Sequence, residues 1–355
     1  MRRCVANMIW ASLLLGGVIT LVTGIWTREI LILMQTPANI LEDAYSYIFT
    51  IFLGTYVTIL YNCLSGIMRA LGDSKTPLLF LAFASLLNVF LDLFFIIVMH
   101  TGVFGAALAT VISQGISGLL CLVFLIRKFP ILHIRKEEWR WDGLSIKRLF
   151  GMGLPMGLQY SITAIGSTVL QTAVNSLGSD IVASITAANK VQMLVTQPME
   201  TLGVTMATYC GQNLGARRFD RIRKGVLHGS IVGAIFSVLA LIVILCFGSY
   251  ISLLFIDGAE TQILANIQQF LLYNGLFYIL LTLLLVFRNT LQGMGHAALA
   301  MSAGVMEMIA RTIVAFCLVA PFGYTAICCS NPIAWTFALI FLIPAYLVLR
   351  RRMPA

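Results

Sequence analysis

Apolar stretches of about 20 residues recur along the whole chain, each long enough to cross a hydrocarbon layer of roughly 30 Å as an α-helix. About ten such stretches can be counted, near residues 5–25, 43–67, 78–99, 104–126, 149–177, 181–210, 226–247, 263–287, 297–319 and 324–349. With 59% hydrophobic and only 10% charged residues among 355, too little polar surface exists for a water-soluble globule of this length. The expected fold class is all-α, a polytopic membrane protein whose solvent is lipid.

The net charge of +9 matters through its distribution. Threading the helices back and forth puts Arg2, Arg3, Arg69, Lys75, the basic residues of 127–148, those of 217–224, Arg288 and Arg350 to Arg352 on one side. Glu29, Glu42, Asp43, Asp180, Asp257 and Glu260 fall on the other, with Arg28 as the exception there. Lys190 and Arg311 lie within apolar segments. This is the positive-inside pattern, so a multi-pass protein of the cell membrane is expected, with both termini in the cytoplasm. Charges split among short loops are a poor nucleic-acid surface. The first apolar run, after Met1-Arg-Arg-Cys4, is too long for a signal peptide and lacks a small-residue cleavage pattern, so it is read as a helix that stays. Eight scattered cysteines without Cys-x-x-Cys spacing read as small core residues.

The chain matches itself weakly, but in order, at an offset of about 222. Arg2-Arg3 lies against Arg223-Lys224, 30–34 against 251–255, Ala70-Leu-Gly72 against Gly293-Met-Gly295, Gly102 against Gly323, and Arg127-Lys128 against Arg350-Arg351. Both copies share one membrane orientation, as in parallel-repeat carriers. The expected organisation is an N-terminal bundle of four helices over 1–130, a cytoplasmic linker over 131–148 holding Glu137, Glu138, Trp139 and Trp141, and a six-helix bundle over 149–355. The second copy opens with two helices that find no partner in the first. An initial helix pair of roughly 75 residues is therefore expected ahead of Met1.

Polar groups inside apolar segments are the functional candidates. Asp92 sits in an otherwise apolar helix, where a charged carboxylate costs about 2.5–3.5 kcal/mol on insertion scales. Asn88 lies one turn earlier on the same face, and Thr110 can approach from the next helix. Carboxylate, amide and hydroxyl oxygens suit Na⁺, while a poorly solvated carboxylate has a raised pKa and suits H⁺. The bland alternative is an Asp92 capped by Asn88 that tunes helix packing. In the second copy Glu307 and Arg311 are spaced i, i+4 and either line a cargo cavity or form a neutralised pair. Ala315 stands where the first copy has Asp92, and Arg311 falls opposite Asn88. Gln159, Gln171, Asn175 and Gln192 either hydrogen-bond cargo or hold neighbouring helices together. Lys190 and Glu200 share a helix but point to different sides. Pro155 and Pro198 are hinge candidates or static kinks.

No convergent nucleophile, base or metal ligands appear, and His100, His133, His228 and His296 lack partners at ligand spacing. With no Gly-x-x-x-x-Gly-Lys-Ser/Thr loop, ATP drive is not expected. The chain reads as a carrier without resident cofactor or metal, and not as an enzyme.

Gly66-Ile-Met-Arg-Ala-Leu-Gly-Asp-Ser-Lys-Thr-Pro77, then Asn88-x-x-x-Asp92, then Gly102-Val-Phe-Gly-Ala-Ala-Leu-Ala-Thr110, with Gly211-Gln-Asn-Leu-Gly-Ala216 later, resemble the multidrug and toxic compound extrusion (MATE) family in its prokaryotic, NorM/DinF-like form. The resemblance covers the whole chain and would make its helices numbers three to twelve of twelve. It implies a V-shaped pair of six-helix bundles, acting as a monomer among membrane lipids. The implied activity is export of drugs or toxic cationic or amphipathic small molecules in exchange for H⁺ or Na⁺. Asn88, Asp92 and Thr110 match the family's cation site in the first bundle, whose other acidic partner lies on the family's first helix. Where some members carry acids in the second bundle, Thr163 and Leu281 stand here, so coupling is assigned to the first. Lipid-flipping relatives share the architecture, leaving a flippase for a lipid-linked saccharide, or an inactive fragment, as alternatives. A flippase would want a cationic cavity, for which only Lys190 and Arg311 are counted.

Overall fold

The computed structural model describes residues 2–34, 36–130, 134–253 and 261–353. Asp257, Glu260 and His133 therefore lie outside the described residues. The chain divides into two units, Met1–Leu149 and Phe150–Ala355, and the described residues are helical almost throughout.

The first unit contains α1 (Arg2–Ile25), α2 (Thr27–Leu33), α3 (Leu41–Ala70), α4 (Lys75–Leu93) and α5 (Gly102–Lys128). Glu42 and Asp43 occupy the first turn of α3 and Arg69 its last, each favourable to the helix dipole. α3 packs against α1 and α5, and α4 against α5. Small residues bring these backbones close, since attraction between helices in lipid comes from packing rather than from exclusion of water. Gly54 of α3 meets Val111 of α5, and a Cβ on Gly118 would lie 3.7 Å from that of Tyr61. Tyr61, Leu64, Ile67, Met68, Cys121 and Leu125 form the core between them. Residues 139–142 dock onto α1. Asn7, fully buried on α1, accepts from the Asp142 amide at 2.9 Å, and Trp10 donates to the Trp139 carbonyl at 3.1 Å.

α6 (Gly143–Asn175) starts in the first unit, where Asp142 accepts from the Ser145 hydroxyl and amide, and it continues into the second. There follow α7 (Ser179–Gly215), α8 (Phe219–Ser252), α9 (Thr261–Leu276), α10 (Tyr278–Gly293), α11 (Ala297–Ile313), the single turn α12 (Val319–Phe322) and α13 (Tyr324–Arg352). α10 is the centre of the second unit, packing against α7, α8, α11 and α13. Its Tyr278, Leu284, Leu285 and Leu291 are at most 1% exposed.

Each of the ten apolar stretches corresponds to helix, with one difference. The stretch 263–287 is not a single helix: α9 and α10 meet at a 52° bend. Asn274 explains it, since its amide donates to the Phe270 carbonyl at 2.8 Å and to Cys328 of α13 at 3.4 Å, competing with the main-chain ladder. The Phe277 amide then closes a tight turn onto the Asn274 carbonyl. Among the described residues, seven helices are individually long and apolar enough to span a membrane, and the bent pair is an eighth. α6 and α7, of 33 and 37 residues, fall outside that set because of polar side chains such as Gln171, Asn189 and Gln197. The outer surface is apolar where a soluble protein's would be polar. Leu86 is 74% exposed and Phe90 64% on α4, the signature of a lipid-facing helix.

The repeat is visible in local structure. α3 ends on Gly72 with φ +93° and α10 on Gly295 with φ +86°, a left-handed conformation that glycine adopts without strain. In both, the following amide reaches back five residues, Asp73 to Met68 and His296 to Leu291. α4 and α11 each end in a π-helical turn, Phe94–Val98 and Val314–Leu318. Gly102 and Gly323, with φ +58° and +53°, open the helices that follow.

Candidate functional site

Each unit contains a polar cavity to which the helix ending in a π turn contributes, an irregularity frequent at functional sites. In the first unit, Asn88 and Thr110 line a cavity of about 80 Å³ together with Ser113, Gln114 and Ser117. The Asn88 amide donates to the Thr110 hydroxyl at 3.4 Å, and that hydroxyl donates to the Ala106 carbonyl at 3.1 Å. Gln114 Oε1 and Ser117 Oγ are buried there without hydrogen-bond partners among the described residues. Asp92 lies one turn beyond Asn88, outside that lining and just before the π turn. Its Oδ1 is buried and also lacks a partner. The geometry thus joins Asn88 to Thr110 and places beside them a carboxylate oxygen with no hydrogen-bond partner among the described residues.

In the second unit a cavity of about 250 Å³ collects Gln159, Gln192, Glu307 and Arg311. Five helices, α6, α7, α10, α11 and α13, contribute to its wall. Glu307, 4% exposed, accepts from Arg311 Nη2 at 3.4 Å with Oε2 and from Arg288 Nη1 at 3.5 Å with Oε1. Gln159, 1% exposed, accepts from the Gln292 amide at 3.0 Å, so it joins α6 to α10 at the cavity's edge. Thr163 and Leu281 also face this cavity, beside the aromatic rings of Tyr160 and Trp335. Gln171 instead donates to Asn175 of its own helix at 2.9 Å. Pro155 and Pro198 lie inside α6 and α7, which are assigned as helix straight through them.

Sequence reasoning missed Arg288 as a member, having placed it with the loop charges. It is buried on α10, and the pairing of Glu307 is with two guanidinium groups rather than one. No local spacing in the sequence signals it, because the contact joins α10 to α11. Glu200 of α7 lines the same cavity, although it was read only as a residue turned away from Lys190.

The family model MatE matches residues 1–94 and 155–317. "Probable multidrug resistance protein YpnP" of Bacillus subtilis (strain 168) is 32% identical over 258 residues, which are 72% of this chain and 57% of that protein. "Probable multidrug resistance protein YoeA" of the same organism is 28% identical over 273 residues, 75% of this chain and 59% of that protein. The chain thus matches less than two thirds of the length of these relatives. A solved structure described as the outward-facing conformation of a multidrug resistance MATE family transporter of the MOP superfamily shares the fold, with a TM-score of 0.92 at 21% identity. That match covers 99% of this chain and 79% of the other.

Proposed function

The chain belongs to the MATE family, and from that premise we propose that it is a secondary antiporter exporting drugs or toxic cationic or amphipathic small molecules in exchange for H⁺ or Na⁺. The observation that carries this reading is the buried, unpartnered Oδ1 of Asp92 beside the Asn88–Thr110 pair. An unfilled carboxylate oxygen within an apolar helix is stabilised by the arrival of a cation, which couples its charge state to transport. The Asn88 amide is directed to Thr110, which favours an ion site over a carboxylate capped by Asn88.

The ion is taken at Asp92 beside the Asn88–Thr110 pair of the first unit, and the cargo in the polar cavity of the second. Relatives described as multidrug resistance proteins support organic cargo. A lipid-linked diphosphate would need a strongly positive cavity, whereas Glu200 and Glu307 offset Arg288 and Arg311 here. The protein acts in the cell membrane with both termini in the cytoplasm.

The test uses efflux-deficient cells loaded with ethidium. Wild type should export the dye in a manner abolished by collapsing the proton or sodium gradient. Asp92→Asn, at equal expression, should not export it. Gradient-driven export by the Asp92→Asn variant at the wild-type rate would refute the coupling role.

A further inference from the structure

A separate cavity of about 340 Å³ lies where α8 begins and α13 ends, lined by Arg223, Leu347, Arg350 and Arg351. It shares no lining residue with the polar cavity around Glu307. Arg223 donates from Nη2 to the Met353 carbonyl at 3.0 Å, which ties the start of α8 to the end of α13. Leu347 precedes Arg350 and Arg351 by three and four residues, so it lies on the same face of α13, one turn deeper in the membrane. On α8, Leu227 stands one turn deeper than Arg223. Both leucines are exposed. The cavity thus has a cationic rim above an apolar floor, the profile of the boundary between lipid headgroups and acyl chains. Among the described residues no acid lines it, and neither Arg350 nor Arg351 has an ion-pair partner. Asp220, at the same end of α8, pairs with Arg218 at 3.3 Å. The repeat makes the contrast plain. In the first unit Lys128, the counterpart of Arg351, lies 3.5 Å from Asp73, whereas the second copy has His296 at the position of Asp73.

We propose that this cavity binds the phosphate of an anionic membrane phospholipid, with Arg350 and Arg351 on the headgroup and Leu347 and Leu227 along the acyl chains. Guanidinium groups are weakly hydrated and meet phosphate oxygens in a fixed, two-pronged geometry, so basic pockets between membrane helices suit such headgroups. Free phosphate offers the same charge but leaves the apolar floor uncovered. A phospholipid satisfies rim and floor together, and the bilayer supplies it at high local concentration. Bound there, it bridges the ends of α8 and α13, away from both the coupling and the cargo residues.

Native mass spectrometry of the purified full chain in detergent tests it, with dioleoyl phosphatidylglycerol and dioleoyl phosphatidylcholine as probes. Charge contacts at a membrane surface predict that wild type holds one phosphatidylglycerol about tenfold more tightly than phosphatidylcholine. Arg350→Gln/Arg351→Gln should abolish that preference, and Arg350→Lys/Arg351→Lys should keep part of it. Arg221→Gln/Lys224→Gln removes the same charge from the same end of α8 but outside the cavity, and should leave the preference intact. Millimolar inorganic phosphate should not displace the lipid. Equal retention of the two lipids by wild type overturns the proposal. So does an equal loss in both glutamine variants, which would mark diffuse surface charge in place of a site. Displacement by inorganic phosphate would assign the cavity to the free anion and overturn the lipid assignment. The wild-type comparison and the phosphate competition stand even where a variant folds poorly.

Discussion

Glu307 holds two buried guanidinium groups through its two oxygens. Replacing it by Gln leaves both charges uncompensated, a change that costs about 3–5 kcal/mol when one partner of a buried pair is lost. The thermal midpoint of purified Glu307→Gln, followed by tryptophan fluorescence, should fall well below that of wild type; an unchanged midpoint would show that the triad is not a structural tie. The i, i+4 spacing made the Glu307–Arg311 half of this cluster legible in the sequence. Arg288 was not, because the contact that buries it joins two helices and has no local spacing. A second residue-scale expectation concerns Asp73. Bonds from the Thr76 amide and hydroxyl, with Lys128 at 3.5 Å, hold its carboxyl below the usual aspartate value. A lowered folded pKa gives stabilisation that is present above the unfolded value, near 3.9, and lost as pH falls through the folded one. The protection of the Thr76 amide, its exchange rate relative to that of an unstructured amide at the same pH, should therefore fall on acidification below about pH 4, and Asp73→Ala should remove that dependence.

At the scale of elements, helix positions were readable because apolar runs of membrane-spanning length leave few alternatives. The bend between α9 and α10 was not, since the run 263–287 contains no proline to mark it. Its cause is a side chain, Asn274, that takes a main-chain carbonyl and is held in turn by Asn331 at 3.1 Å. Asn274→Leu should straighten the pair, lengthening the distance between spin labels at the far ends of α9 and α10; an unaltered distance would assign the bend to packing instead. The turn glycines behave differently, because glycine at a helix end is a signal that sequence does carry. Gly295→Ala should destabilise the chain by about 1–2 kcal/mol, the cost of a left-handed conformation for a residue with a Cβ, while Gly295→Asn should cost less.

For the whole molecule, composition already decided the solvent, and the exposed Leu86 and Phe90 show where that composition went. The charge pattern carries a further expectation, both termini on the cytoplasmic side. A fluorescent protein fused after Ala355 should mature and fluoresce in bacterial cells, and a dark fusion at normal expression would reverse the topology. The coupling assignment rests on Asn88, Asp92 and Thr110, whose residue types were visible in the sequence while the Asn88–Thr110 contact and the unfilled Asp92 oxygen required the fold. The measurement that tests it most directly follows ions and cargo together, with the purified chain in liposomes, radiolabelled sodium and a pH-sensitive dye reporting ion movement during dye transport. Wild type should move Na⁺ or H⁺ against cargo, while Asp92→Asn should move neither and still exchange labelled for unlabelled cargo. Ion movement undiminished in Asp92→Asn would contradict the account.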